Sequence, residues 1–165
     1  MYSLSILIFA LLSLFQAGQS WKYCPDFDQD SDDFGVQHFE ATPWNHDEVY
    51  IHLKGKLKTN IYAAFKADTD VKPKLRIKIF KKSNGKEIYS DTKNLCDYTS
   101  CPLLDGDEAT IKVHTVSGFD KKLKDGEYYV AEMAVIKRCG REVTCVKDLF
   151  CYLGKNDKKK SKNLK

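Results

Sequence analysis

Six cysteines, four histidines and a run of alternating aspartates are the residues of this 165-residue chain that could do chemistry. Cys96 and Cys101 stand five positions apart in CDYTSCPLLDG and are followed by Pro102, a spacing that suits a small disulfide-pinned loop. All six cysteines (Cys24, Cys96, Cys101, Cys139, Cys145 and Cys151) lie beyond residue 20. An even count argues for disulfides in an oxidising compartment before it argues for metal. A zinc site needs two close ligand pairs, and these spacings contain neither a CxxC nor a nearby histidine pair, so no metal is expected. Asp26, Asp28, Asp30 and Asp32 have the alternating carboxylates of the first half of a calcium loop. No starting aspartate is followed by both the glycine at the sixth position and the glutamate at the twelfth, which leaves a solvated loop.

His38, His46, His52 and His114 are scattered and read as surface residues. There is no GxSxG elbow, no HExxH and no glycine-rich phosphate loop, so neither an enzyme nor a cofactor is expected. Basic residues alternate along the strands, as they do in nucleic-acid binders. A secretory leader and an opposing acidic segment argue against that partner.

The elements that must position these residues read as strands. Val49, Ile51 and Leu53 alternate with Tyr50, His52 and Lys54, and Ile61, Ala63 and Phe65 with Tyr62, Ala64 and Lys66. Leu75, Ile77 and Ile79 alternate with Arg76, Lys78 and Phe80, and Asn84-Gly85 then supplies the positive φ angles of a tight hairpin turn into Ile88–Ser90. Ala109, Ile111 and Val113 alternate with Thr110, Lys112 and His114. Glu127–Lys137 forms a long strand, Gly140-Arg141 a turn, and Val143–Leu153 the last strand. Pro73 and Pro102 sit at strand starts, where a missing N–H costs least. About seven strands with regular turn signals predict an all-β, immunoglobulin-like antiparallel sandwich of two sheets. Alternation alone cannot separate a filled core from sheets that splay around a cavity.

Three segments follow. Residues 1–20 read as a cleaved signal peptide: Ser5–Phe15 is apolar but shorter than the roughly 20 residues that span a bilayer. Gly18-Gln19-Ser20 suits cleavage before Trp21, although the leader holds no Lys or Arg. Residues 21–154 form one domain. Residues 155–165 form a basic tail whose six lysines (Lys155, Lys158, Lys159, Lys160, Lys162 and Lys165) face one aspartate. A solvated, frayed terminus is the favoured reading of the tail; attraction to an anionic membrane surface is the other.

In a chain of this size, the order of these pieces resembles the ML lipid-recognition domain family, which includes the Niemann–Pick cholesterol carrier, the ganglioside activator and the mite allergens. The likeness rests on CDYTSCPLLDG followed by the ATIKV strand, on Gly126-Glu127-Tyr128-Tyr129-Val130 leading to Val143-Thr144-Cys145-Val146, and on Cys24 lying some forty residues before Ile61. The resemblance implies a Cys24–Cys145 bond and a Cys96–Cys101 loop. The chain departs from the family pattern in lacking an early close cysteine pair and in having Cys139 and Cys151. In a regular hairpin those two lie too far apart to bond. The last strand is bent, Cys24 takes another partner, or one thiol is free or intermolecular.

The resemblance further implies an apolar cavity between the sheets that holds a lipid. The inward residues that would line it are Ile61, Ala63, Phe65, Leu75, Ile77, Ile79, Ile111, Val113, Tyr129, Met133 and Val135. The other face of the Glu127–Lys137 strand, with Tyr128, Val130, Ala134 and Ile136, would place Glu132 inside, and the first face is preferred because it buries no charge. The expected protein is a secreted or lysosomal-lumen carrier that extracts a glycolipid, phospholipid or sterol and delivers it to a membrane, a hydrolase or a receptor. It is likened to the ganglioside activator branch by its Gly-x-Tyr strand and missing early cysteine pair. A recognition protein presenting lipid to an innate immune receptor, and a disulfide-stapled sandwich without ligand, are the alternatives.

Overall fold

The computed structural model describes residues 20–61, 72–115, 123–137 and 140–153. Among them run β1 (Lys22–Tyr23), β2 (Val36–Asn45), β3 (Glu48–Lys56), β4 (Lys74–Lys81), β5 (Glu87–Asn94), β6 (Glu108–Thr115), β7 (Tyr128–Ile136) and β8 (Glu142–Cys151). They form a five-stranded sheet in the order β1-β8-β7-β4-β5 and a three-stranded sheet in the order β2-β3-β6. Every pairing is antiparallel. The result is the expected two-sheet sandwich.

Alternation decides which side of each strand is buried, because successive side chains on a strand point to opposite faces. Along β6, Ala109, Ile111, Val113 and Thr115 are buried while Glu108, Thr110, Lys112 and His114 are exposed. β3 and most of β4 follow the same rule, whereas β8 buries Val143 to Val146 in a row, and Cys145 among them packs with Cys24 and Ala134 in a second small cluster. Leu75, Ile77 and Ile79 on β4 sit opposite Val135, Met133 and Ala131 on β7. In the second sheet Ile51 and Leu53 on β3 sit opposite Val113 and Ile111 on β6. These inner faces belong to one buried apolar cluster. Outside, lysines and glutamates pair at the surface, as Lys54 with Glu108 and Lys78 with Glu87 do.

Four details differ from the sequence reading. The ten-residue β2 was not expected; it pairs only with β3, and an edge position tolerates its Pro43. The β4–β5 connection is not a two-residue turn: residues 82–86 lie between the strands, and Gly85 has φ 66°. Pro102 lies in the loop before β6, after a cis peptide bond, and not at a strand start. Ile61 sits in a bend, its N–H donating to Leu103 O at 3.1 Å; the rest of the expected Ile61–Lys66 strand lies outside the described residues.

One close approach shapes the end of the core. Gly55 is the inner position after Leu53 on β3, and the buried Phe34 ring fills the place where its side chain would stand. Gly35 makes this insertion possible with φ 60°, turning the chain from Phe34 into β2.

Candidate functional site: the inner faces of the sandwich

The two disulfides tie down the ends of this arrangement. Cys24, beside the two-residue β1, bonds to Cys145 on β8 across 121 positions, and Cys96 bonds to Cys101 in its short loop. β8 continues through Cys151, whose half-buried thiol is bonded to no other cysteine of the chain, so Cys24 keeps the partner that the resemblance implies. Cys139 lies outside the described residues.

The aspartate run serves the chain's own backbone. Asp28 accepts from Asp30 N–H and caps a short 3-10 turn at Gln29–Ser31. Asp32 is buried and not solvated, correcting the sequence reading. Its carboxylate accepts from the Tyr23 hydroxyl at 2.8 Å and from the N–H groups of Phe34 and Val36. Burial and this carboxylate push the Tyr23 hydroxyl pKa well up. Next to it, Asp33 receives Lys137 Nζ at 3.0 Å and Arg141 at 3.3 Å, and Lys137 also reaches Thr59 Oγ1. The only cluster of three potential metal ligands among the described residues is Cys24, Cys145 and Glu132. Its two sulfurs are bonded to each other and offer no thiolate.

Between the sheets the surface is apolar and continuous. Leu75, Ile77, Ile79, Ile111, Val113, Tyr129, Met133 and Val135 are all fully buried in the same cluster, with Ile61 at its margin. Ala63 and Phe65 lie outside the described residues. β7 presents the expected face inward: Tyr129, Met133 and Val135 are buried, while Glu132 is on the opposite side and half-buried. The sequence reading missed the contributions of Phe39 and Ala41 on β2 and of Val146 and Phe150 on β8, all in the cluster. Phe150 stacks on Tyr129 with ring centroids 5.6 Å apart. The β8 pair was legible as strand but β2 was not, because its Glu40, Thr42 and Pro43 break the apolar run.

Polar groups are few on these inner faces. Tyr129 turns its hydroxyl to the rim, where it accepts from Lys124 N–H and donates to Glu127 Oε2. Burial chiefly pushes its pKa up to about 12. Thr115 Oγ1 donates to Val49 O and accepts its N–H. Thr144 lies opposite Val135, its hydroxyl buried without a partner among the described residues. Asp148 lies opposite Ala131, its carboxylate accepting from Ala41 and Leu149 N–H. The histidines stand outside this space. His38 and His52 face each other on the outer surface at 5.1 Å, and burial, with help from the His38 and Lys112 charges, lowers the His52 pKa. Among the described residues these inner faces are built of apolar side chains that the two sheets shelter from water.

The family model described as the ML domain matches residues 18–148. No curated protein matches the chain. Among solved structures, chicken MD-1 complexed with lipid IVa is similar at 15% identity and a TM-score of 0.48, covering 81% of this chain and 88% of that one. A Niemann-Pick type C2 protein from Japanese carpenter ant is similar at 15% identity and a TM-score of 0.49, covering 78% and 96%.

Proposed function

The chain belongs to the ML domain family, and from that premise we propose that it is a lipid carrier that holds its cargo between the two sheets. Family membership supports lipid binding. The observation that carries the reading is the pairing of fully buried aliphatic residues on both inner faces, Leu75–Val135 and Ile77–Met133 on one sheet and Leu53–Ile111 on the other. A lipid entering between such faces replaces water at its own apolar surface. At about 25 cal/mol per Å², a few hundred Å² of buried acyl chain or sterol contributes several kcal/mol before the cost of association.

In this reading a glycolipid, phospholipid or sterol is drawn from one membrane, carried, and released to another membrane, an enzyme or a receptor. No covalent bond changes. Ile61, Ala63, Phe65, Leu75, Ile77, Ile79, Ile111, Val113, Tyr129, Met133 and Val135 form the lining. Residues 1–20 act as a cleaved leader, residues 21–154 as the carrier and residues 155–165 as a basic tail. Two disulfides support passage through an oxidising compartment, and the protein works outside the cell or in the lysosomal lumen. A transfer assay tests this directly. A self-quenched fluorescent lipid in donor vesicles should move to acceptor vesicles at a rate proportional to protein concentration. A rate equal to the protein-free background for glycolipid, phospholipid and sterol probes alike would overturn the reading.

A further inference from the structure

The outer face of the five-stranded sheet carries an apolar strip at one end. Val130 on β7 sits opposite Leu149 on β8 and opposite Phe80 on β4, with Tyr128 beside them. Leu149 is 42% exposed and Tyr128 55%. Next along the same face stands Glu132, directly opposite Lys147 on β8 and Lys78 on β4, and beyond it Glu142, both carboxylates reaching Arg76.

Three lysines rim the strip. Lys22 and Lys147 are placed directly opposite each other across β1 and β8. Lys82 holds its Nζ 6.0 Å above the Tyr128 ring. Together with Val130 and Leu149 they enclose an open depression of about 440 Å³. Asp148 is the acidic residue at its wall, and that carboxylate is already held by the N–H groups of Ala41 and Leu149. Among the described residues none of the three lysines lies within ion-pair distance of a carboxylate; Lys147 is set opposite Glu132, which Arg76 reaches, whereas Lys22 and Lys82 have no acid placed opposite them. Like charges placed opposite each other across strands oppose folding. Kept beside exposed Leu and Tyr, they form a surface matched to something both anionic and apolar.

We propose that this face docks the protein on an anionic bilayer. Leu149, Val130 and the Tyr128 ring meet the boundary between headgroups and acyl chains, where an amphipathic aromatic is at home. Lys22, Lys82 and Lys147 take the lipid phosphates. The inference rests on the carrier reading only in that docking brings the cargo site to a membrane; the two are measured separately.

The test is flotation of the protein, produced from the full chain, with vesicles of phosphatidylcholine alone and with 30% phosphatidylserine. The protein should bind the anionic vesicles and release them as salt rises. Each lysine near the surface is worth about fivefold in partitioning, so Lys82→Ala/Lys147→Ala should weaken binding about 25-fold. A pair of equal charge change elsewhere, Lys74→Ala/Lys112→Ala, should weaken it by less than about threefold, and Leu149→Ser should weaken it with charge unchanged. Equal losses in the two lysine pairs, no preference for anionic vesicles, or burial of the face in a solution dimer would overturn the proposal. Cargo measured by native mass spectrometry on the same variants separates the two readings: docking variants that keep their lipid but lose vesicle binding support the proposal. A protein that binds vesicles through this face yet never holds a lipid fails as a carrier alone.

Discussion

Asp148 Oδ2, on β8 of the five-stranded sheet, accepts the backbone N–H of Ala41, on β2 of the three-stranded sheet, at 3.3 Å. β2 is an edge strand, and Ala41 pairs with Ile51 on its only strand neighbour. The carboxylate therefore satisfies an edge N–H that would otherwise be buried unpaired, and it joins the sheets near the middle of the sandwich. Asp148→Ala should lower the unfolding free energy by about 1–3 kcal/mol, and Asp148→Asn, which keeps an acceptor, by less. Urea unfolding of the three proteins checks the order. Equal stabilities would show that the bond contributes nothing.

The two disulfides should differ in worth. The Cys24–Cys145 bond spans 121 positions and the Cys96–Cys101 bond five. On the chain-entropy account the first constrains the unfolded chain by about 5 kcal/mol and the second by about 2 kcal/mol. Cys24→Ser/Cys145→Ser should therefore lower the denaturant midpoint more than Cys96→Ser/Cys101→Ser does, and the reverse order would contradict the account.

Gly55 should be intolerant of any side chain. A Cβ there would run into the Phe34 ring, which is fully buried and has no room to retreat. Gly55→Ala should cost about 1–3 kcal/mol through overpacking, and Gly55→Ala with Phe34→Leu should recover part of that loss. A thermal melt of the single and double variants decides it; an unaltered Tm for Gly55→Ala would mean the ring moves freely.

Glu132 gives a pH dependence whose sign is fixed. Burial, only partly offset by the Arg76, Lys78 and Lys147 charges, raises its pKa above the usual glutamate value. A raised pKa means that the folded state holds the proton more tightly than the unfolded state. This group's contribution is therefore favourable in acid and is lost as pH rises through the window between the ordinary and the raised value. Glu132→Gln should flatten that part of the stability profile and be relatively more stabilising at pH 7 than at pH 4. Urea midpoints across the window test this, and a slope unchanged by the substitution would refute it.

How far the sequence could be read depends on whether each feature is local. β3, β4 and β6 were visible because alternation is a property of consecutive residues, while β7 was visible only as a long apolar run whose inward face followed from keeping Glu132 out. β2 was hidden because an edge strand needs little apolar content and admits Pro43. The role of Asp32 was misread as solvation, since its partners Tyr23, Phe34 and Val36 converge on it only when the chain turns. The Asp148–Ala41 contact joins residues 107 positions apart and leaves no trace in either neighbourhood. The lysine-rimmed outer strip was equally hidden, because β1 brings Lys22 beside Lys147 from the far end of the chain.

Native mass spectrometry of the protein produced from the full chain in a secretory host, followed by solvent extraction, tests the central claim most directly. The account predicts a one-to-one lipid adduct that solvent removes, leaving a polypeptide with the Cys24–Cys145 and Cys96–Cys101 bonds formed and residues 1–20 missing. A bare mass that also takes up no lipid from vesicles would contradict it, leaving the sandwich without its cargo.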